Sequence, residues 1–404
     1  MTKDNQVSAY RWIILLATVP IIISSEIMWL SLAPISSLAE SYYGVGAMAV
    51  ALFSMSYMIM YVFFSIPASW VVDKYGYKAS LIIGALITAI FGLTRALFAD
   101  NFIIVIVSQF IIAIGQPFLL NISTKVPANW FPISERSTAA GILTLAQYIG
   151  FAIPMLLAPM LAESSGIPAV FMVFAVIAVI SAILAILLTK EKPPVAPPGP
   201  SAPKEDFSLP SLKKLFTNKP FLLVLVVSFV SVGIFNTILT LIETILVPRG
   251  ITSVQAGIVG AVFVVAGIAG AVILPIISDK HRIRTPLFVA AISLLTFIYL
   301  GFTFAGSFVL VAVIAGIGGF AIMGVAPILF QHGSEVAYPI QEGTSLGMIL
   351  LMGQVSGVLF IYLFEAIMNA TGSILWPMLL IVALTALELP FALKMKESDL
   401  IGKS

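Results

Sequence analysis

Two carboxamide side chains lie at matching steps of two long apolar segments, where they could bind a polar solute inside a membrane. Gln147 lies in FPISERSTAAGILTLAQYIG, residues 131–150, and Gln354 lies in YPIQEGTSLGMILLMGQVSG, which begins at Tyr338. A carboxamide both donates and accepts hydrogen bonds, so the pair could orient a hydroxyl or carbonyl group. The alternative is an interhelical hydrogen bond, which is worth about 0.6–2 kcal/mol in a membrane.

A carboxylate and an indole follow each other at helical spacing in SEIMWLSLAP, residues 25–34. Glu26 and Trp29 are one turn apart, so both side chains fall on one face of a helix. An aromatic face beside a carboxylate could hold an ammonium ion, with a cation–π attraction of about 0.5–2 kcal/mol. The alternatives stay open: Glu26 could carry a proton or make a buried structural hydrogen bond, and Trp29 could pack between helices.

The elements that position these side chains are predicted to be membrane-spanning helices. Of the 404 residues, 60% are hydrophobic and 9% are charged, which leaves too little polar surface for a water-soluble fold. A span needs roughly 20 apolar residues, and such runs predict an all-α membrane protein with twelve spans. The first span has no cleavage site before it, so we expect a retained helix and not a removed signal. The predicted spans are 11–37, 46–72, 79–98, 102–126, 136–162, 166–189, 219–246, 253–278, 285–304, 308–330, 343–367 and 372–394.

The basic residues predict the orientation of these helices. All Lys and Arg except Arg95 and Arg249 fall on one side if the N-terminus is cytoplasmic. We therefore expect a multi-pass cell-membrane protein, in a prokaryotic inner membrane, with both termini in the cytoplasm. The net charge of +2 reflects this bias and gives no reason to expect a nucleic-acid partner. His281 and His332 are far apart and the chain has no cysteine, so we expect neither a metal site nor a cofactor.

The chain reads as two halves joined by a polar segment. Residues 190–218, KEKPPVAPPGPSAPKEDFSLPSLKKLFTN, are rich in Pro, Lys and acidic residues and predict a cytoplasmic linker. It would join an N-terminal six-helix bundle, residues 1–189, to a C-terminal one, residues 219–404. A shift of 206 or 207 residues brings polar, Gly and Pro positions of the halves together, which predicts parallel repeats.

Parallel six-helix halves resemble the major facilitator superfamily, whose substrate site lies near the midplane between the halves. The segment DKYGYK, residues 73–78, resembles the superfamily's loop signature between its second and third helices. There the acidic residue caps a neighbouring helix terminus and steadies one state of the transport cycle. The resemblance implies a gating loop, although the second copy, DKHRIR, lacks the glycine. Its residues are Asp73, Lys74, Gly76 and Lys78, with Asp279 in the second copy.

A narrower resemblance covers most of the membrane domain. GQPFLLNISTKVPANWF, ERSTAAGILTLAQYIGFAIP and PILFQHGSEVAYPIQEGTSLGMILLMGQVSGVLF resemble the feline leukaemia virus subgroup C receptor-related family, linked to haem and choline transport. The resemblance implies that Trp29, Gln147 and Gln354 line a choline pocket. Asn236 stands where that family has a tyrosine, and a shift of 206 places Phe235 opposite Trp29.

The expected function is secondary transport of a small organic cation, choline-like or amine-bearing, by alternating access. Glu26 and Glu243 stand where the related family has neutral residues, so we expect one or both to balance charge or carry a proton; Glu243, nearer the outer end, could equally serve an outer gate. A haem or other amphipathic substrate, a proton-coupled drug exporter and a receptor that transports nothing are the alternatives. An enzyme is not expected. The partners would be a small-molecule substrate, the lipid bilayer and a proton or sodium ion, with the protein a monomer.

Overall fold

The computed structural model describes residues 9–194, 214–338, 340 and 342–398, and within these ranges the chain is helical with no β-strand. Two short 3₁₀ turns, Ala33–Ile35 and Val247–Arg249, follow helices that end early. The α-helices are α1 (Tyr10–Leu30), α2 (Ser36–Tyr43), α3 (Ala47–Tyr75), α4 (Tyr77–Leu97), α5 (Phe102–Leu120), α6 (Ile122–Trp130), α7 (Ile133–Leu188), α8 (Lys219–Thr240), α9 (Ile242–Leu246), α10 (Ser253–His281), α11 (Thr285–Phe304), α12 (Phe308–Val336), α13 (Glu342–Thr371) and α14 (Leu375–Lys394).

The predicted number of spans is confirmed, although two of them share one long helix. In the described ranges, 11 helical stretches are long and apolar enough to cross a membrane. One of them runs from residue 138 to residue 188 and contains both predicted spans 136–162 and 166–189. It is divided at Gly166, whose φ of 80° and ψ of 174° are not helical. The two predicted spans are therefore separated by a kink at a single glycine.

Three predicted spans are each broken into two helices, which the sequence did not show. Span 11–37 is broken after Leu30, span 102–126 after Leu120, and span 219–246 after Thr240. Pro34 explains the first break, because proline has no amide hydrogen to bond the carbonyl of Leu30, four residues earlier, and its ring collides with that carbonyl. Backbone carbonyls at the end of α1 therefore lose their helical partners close to Glu26 and Trp29.

The chain divides into two compact units, residues 1–204 and residues 205–404. In the first unit α1 packs on α7 and α5, and α4 packs on α5 and α7. In the second unit α10 packs on α12, α8 on α13, and α11 on α14. Both interiors consist of large aliphatic and aromatic side chains. The predicted domain boundaries stay predictions, and residues 195–213 of the predicted linker lie outside the described ranges.

Backbone geometry repeats between the two units with the predicted spacing. Six described residues have positive φ, and they form three pairs that are each 206 positions apart. Five of the six are glycines, which enter the left-handed region without steric cost. Arg282 is the exception, with a φ of 55°. The pairs are Gly44 with Gly250, Gly76 with Arg282, and Gly166 with Gly372.

Two carboxylates occupy equivalent positions at helix starts. Glu191 accepts hydrogen bonds from the first two backbone amides of α4, at 3.2 and 2.8 Å. Glu397 accepts from two backbone amides at the start of α11, both at 2.9 Å. A negative charge at a helix N-terminus satisfies free amides and interacts favourably with the helix dipole. The duplication therefore includes the contacts that begin the third helix of each half.

Candidate functional site

Gly150 brings α1 into direct contact with α7. A Cβ atom at this position would lie 2.6 Å from Cβ of Glu26 and 2.8 Å from the carbonyl oxygen of Ile23. Both distances are shorter than van der Waals contact, so only glycine allows the two helices to approach this closely. The close approach places Glu26 against α7 about one helical turn from Gln147.

Glu26 is buried, with 1% of its surface exposed, and a neutral side chain holds its carboxylate. Nε2 of Gln116, on α5, donates to both carboxylate oxygens at 3.3 and 3.2 Å. The described residues include no Lys or Arg in an ion pair with Glu26. The phenolic hydroxyl groups of Tyr57 and Tyr61, on α3, are near enough to interact with it electrostatically. Such a carboxylate can hold a proton or accept a cation.

Trp29 uses its polar atom within the protein. The indole Nε1–H donates to the backbone oxygen of Ser54, on α3, at 3.0 Å. The ring meets Phe151, on α7, edge to face, with centroids 5.2 Å apart and an interplanar angle of 75°. Because the N–H is already used, Trp29 can offer a ligand only its aromatic surface. Phe151 lies one helical turn after Gln147, so Trp29 and Gln147 belong to the same part of the first unit.

Gln147 and Gln354 keep free carboxamides. Both side chains are partly buried, and within the ranges that the structure describes neither makes a hydrogen bond. Buried polar groups are nearly always paired with protein, water or a ligand. These two amides are therefore available to a solute or to water.

In the second unit, Asn236 is bonded to the glycine that precedes Gln354. Asn236 is buried, and its Nδ2 donates to the backbone oxygen of Gly353, on α13, at 3.4 Å. Gly353 directly precedes Gln354, so the two amides share one part of the second unit. Phe235, which precedes Asn236 on α8, is partly buried. Its ring centroid lies 6.1 Å from that of Phe263, on α10.

Glu243 has a contact that suits a structural role. It is fully buried in α9, and its Oε1 accepts a hydrogen bond of 2.6 Å from the hydroxyl of Ser253. Ser253 is the first residue of α10, so the carboxylate lies at a helix N-terminus, where negative charge is favourable. The contact ties α9 to the start of α10.

Comparison with known proteins gives the family of the chain. The sequence model of the Major Facilitator Superfamily matches residues 9–361. The chain belongs to this superfamily. The prediction of a membrane transporter, and not an enzyme, is thereby confirmed.

Relatives within the superfamily confirm the narrower resemblance. An uncharacterised MFS-type transporter of Caenorhabditis elegans, C09D4.1, is 30% identical over 392 residues, which are 92% of this chain and 66% of that protein. The choline/ethanolamine transporter FLVCR1 of Felis catus is 29% identical over 88% of this chain and 68% of its own length. Human FLVCR2, also named a choline/ethanolamine transporter, is 27% identical over 88% of this chain and 71% of its own length.

Solved structures confirm the superfamily fold. A bacterial homologue of the human lysosomal transporter Spinster, inward-facing and unoccupied, has a TM-score of 0.75 at 16% identity over 95% of this chain and 96% of that one. FucP in the outward conformation has a TM-score of 0.66 at 17% identity over 95% of this chain and 99% of that one. At these identities the likeness concerns the fold alone.

The superfamily loop in the first unit lies between α3 and α4. Oδ1 of Asp73 forms a 2.7 Å ion pair with Nζ of Lys125, on α6. Nζ of Lys74 lies 4.7 Å from the ring centroid of Trp70. Gly76 separates the helices with a φ of 90°. The loop residues are therefore held by charge and aromatic contacts within the first unit, remote in sequence from Glu26 and Trp29.

The second copy of this loop has different contacts. Oδ1 of Asp279 lies 3.6 Å from a guanidinium nitrogen of Arg284, and the same nitrogen pairs with Glu335 at 2.7 Å. Arg284 occupies the position that Lys78 has in the first copy, where the backbone amide of Lys78 bonds Glu191. The superfamily loop is thus duplicated in position but not in its ion pairs.

The sequence analysis named candidate site residues but missed the hydrogen-bond partner of Glu26. In the first unit Glu26 and Trp29 both contact α7 within about one turn of Gln147, and in the second unit Asn236 is bonded to the residue before Gln354. The missed residue is Gln116, which lies in the apolar run IIAIGQPFLL. A carboxamide in such a run is costly to bury unpaired, and that cost was the available signal.

Proposed function

We propose that this protein is a secondary active transporter of a small organic cation, choline-like or amine-bearing, which works by alternating access. One observation carries the proposal: a buried carboxylate, Glu26, is held by a neutral amide one turn from a buried indole, Trp29. The names of the FLVCR1 and FLVCR2 relatives support the same substrate class.

An ammonium ion that leaves water needs negative charge or aromatic surface in return. Trp29 would supply its ring face, since its N–H is bonded to Ser54, with an attraction of about 0.5–2 kcal/mol. Glu26 would supply the counter-charge. These groups together favour a cation over an anion or a neutral sugar.

The amides would orient the polar end of the substrate. Gln147 has a free carboxamide in the first unit, and Gln354 has one in the second. We assign Asn236 and Phe235 to the pocket lining beside Gln354, because Asn236 is bonded to the residue before it. A carboxamide can donate to or accept from the hydroxyl group of an amino alcohol.

Glu26 would also set the coupling. When no cation is bound, the ionised carboxylate costs on the order of 2.5–3.5 kcal/mol at a helix centre, and a bound proton would remove that cost. Substrate and proton would then exchange at one group, which makes the proton the first candidate for the coupling ion and sodium the second. Glu243, bonded to Ser253, we assign to the structure around α10.

The test of the substrate class is uptake of labelled choline and ethanolamine by the purified protein in liposomes. Trp29→Ala should abolish uptake, and Trp29→Phe, which keeps an aromatic face, should retain part of it. Trp376→Ala is the matched control, because Trp376 is 56% exposed on α14. Uptake by Trp29→Ala equal to that of the control would contradict the proposal.

The test of coupling is Glu26→Gln, which keeps the shape of the side chain and removes its charge. We expect affinity for choline to fall about tenfold or more, the equivalent of about 1.4 kcal/mol, and uptake to lose its response to a pH gradient. Glu163→Gln, on the exposed surface of α7, is the control. A pH response that survives in Glu26→Gln would place the proton on another group.

A further inference from the structure

Arg95 is a fully buried cation without a carboxylate partner. It lies in the last turn of α4 with 0% of its surface exposed. Nη1 of its guanidinium group donates to Oε1 of Gln109, on α5, and Nη2 lies 2.8 Å from the sulfur of Met28, on α1. The guanidinium carbon lies 4.4 Å from the ring centroid of Phe171, on α7. No acid forms an ion pair with Arg95 among the described residues, so other groups must stabilise its charge.

Gln109 connects the arginine to two more helices. Its Nε2 donates to the backbone oxygen of Met28, on α1, and to that of Phe53, on α3, both at 3.1 Å. The side chain is fully buried, and all its polar atoms are bonded. A single carboxamide therefore ties α1, α3 and α4 to α5.

The end of α1 explains why a buried cation is tolerated here. α1 ends at Leu30, so the carbonyl group of Met28 is one of the last four, which have no helical partner. These carbonyls carry the partial negative charge of the helix dipole, which favours a nearby cation. The face of Phe171 adds a cation–π contact. Arg95 is thus stabilised by a helix terminus and an aromatic ring.

The same contacts hold Trp29 in register with α3. Gln109 joins Met28 to Phe53, and the next residue of each helix is joined as well, because the indole of Trp29 donates to the oxygen of Ser54. The hydroxyl of Ser54 in turn lies 3.4 Å from the backbone oxygen of Trp29. A displacement of Met28 would therefore move the indole directly.

We infer that Arg95 and Gln109 are positioning residues that fix the end of α1 and so set the indole of Trp29 for an ammonium ligand. The inference rests on the function proposed above. It is specific to the first unit, because the positions 206 residues later are Gly301 and Ala315, which cannot make these bonds. The end of α8 in the second unit lacks this support.

The decisive variant is Gln109→Glu. Its carboxylate still accepts from Arg95 and adds a counter-charge, but it cannot donate to the carbonyls of Met28 and Phe53. Arg95→Lys is the second variant, since it keeps the charge and loses the planar fork. Thr94→Val, next to Arg95, is the control, because the hydroxyl of Thr94 bonds only its own helix.

Two measurements separate this inference from the proposed function. Fluorine NMR of protein labelled with fluorotryptophan, with resonances assigned by single Trp→Phe variants, reports the surroundings of Trp29 without any substrate. Choline affinity and maximal uptake rate report the consequence for transport. If wild type does not bind choline, the proposed function fails, and the resonance of Trp29 still tests the positioning role.

We expect Gln109→Glu to shift the resonance of Trp29 and to weaken choline binding about sevenfold, with a maximal rate near that of wild type. Sevenfold is about 1.2 kcal/mol, the worth of two interhelical hydrogen bonds in a membrane. Arg95→Lys should shift the same resonance by less. A Trp29 resonance in Gln109→Glu that matches the Thr94→Val control would overturn the inference. If Gln109→Glu does not accumulate, an unmoved resonance in Arg95→Lys decides against it in the same way.

Discussion

Gly150→Ala is the sharpest test of how the site is built. The new methyl group would lie 2.6 Å from Cβ of Glu26 and 2.8 Å from the backbone oxygen of Ile23. Neither atom is the end of a flexible side chain, so the contact can be relieved only if α1 moves away from α7. Overpacking of this kind costs about 1–3 kcal/mol.

Helix propensity acts in the opposite direction, and a matched variant removes it from the comparison. Alanine is favoured over glycine inside a helix by about 0.5–1 kcal/mol. Gly141 lies on the same helix, α7, and a Cβ atom there meets nothing within 4 Å. Gly141→Ala therefore gains the propensity without the collision. The stability difference between the two alanine variants should equal the overpacking cost alone, about 1–3 kcal/mol.

The assay is thermal unfolding of the purified variants in one detergent, followed by choline uptake in liposomes. We expect Gly141→Ala to unfold at or above the temperature of wild type, and Gly150→Ala to unfold below it. Uptake by Gly150→Ala should fall by more than the loss of folded protein accounts for, because Glu26 moves with α1. If the two alanine variants unfold at the same temperature, α1 and α7 do not meet at Gly150 as described.

Four further substitutions test the duplicated turns, the helix starts and the loop. Arg282→Gly should raise the unfolding temperature, because a left-handed residue with a side chain costs about 1–2 kcal/mol; a lower temperature would mean that the Arg282 side chain is needed. Glu191→Gln and Glu397→Gln should each cost about 0.3–1 kcal/mol, and by similar amounts, since both carboxylates lie at helix starts. Asp73→Asn should change stability by less than about 1 kcal/mol because its ion pair is exposed, so a large loss of uptake at normal stability would assign Asp73 to gating.

The number of spans could be predicted because span length is set by bilayer thickness, which every apolar run must match. The breaks were not predicted, although polar residues follow two of them, in SLAPISSLAE after Leu30 and in NISTKVPANW after Leu120. Pro34 lies four residues after the first break, but the predicted span 11–37 ran through it. Hydropathy thus gives the count of helices, and local hydrogen bonding decides where each one ends.

The sequence could suggest candidate site residues but not their contacts. Glu26 and Trp29 could be paired because they share one helix face, a relation that depends only on their spacing. Gln116 and Gly150 are 90 and 124 positions away from Glu26, and only packing brings them to it. Arg95 was read as a charge on the outer side, whereas the end of α1 and the ring of Phe171 allow it to be buried.

Duplication explains which parts of the chemistry had to be kept. Turns and helix starts are retained in both units, as Gly44 with Gly250 and Glu191 with Glu397 show, because every six-helix unit needs them to fold. The charged group at the site is not retained, since the position 206 residues after Glu26 is Val232. A buried charge costs free energy in any unit that has no use for it. A second carboxylate at position 232 would repeat that cost, although a monovalent cation needs only one counter-charge. The presence of the carboxylate in one unit alone therefore agrees with the charge of the proposed substrate.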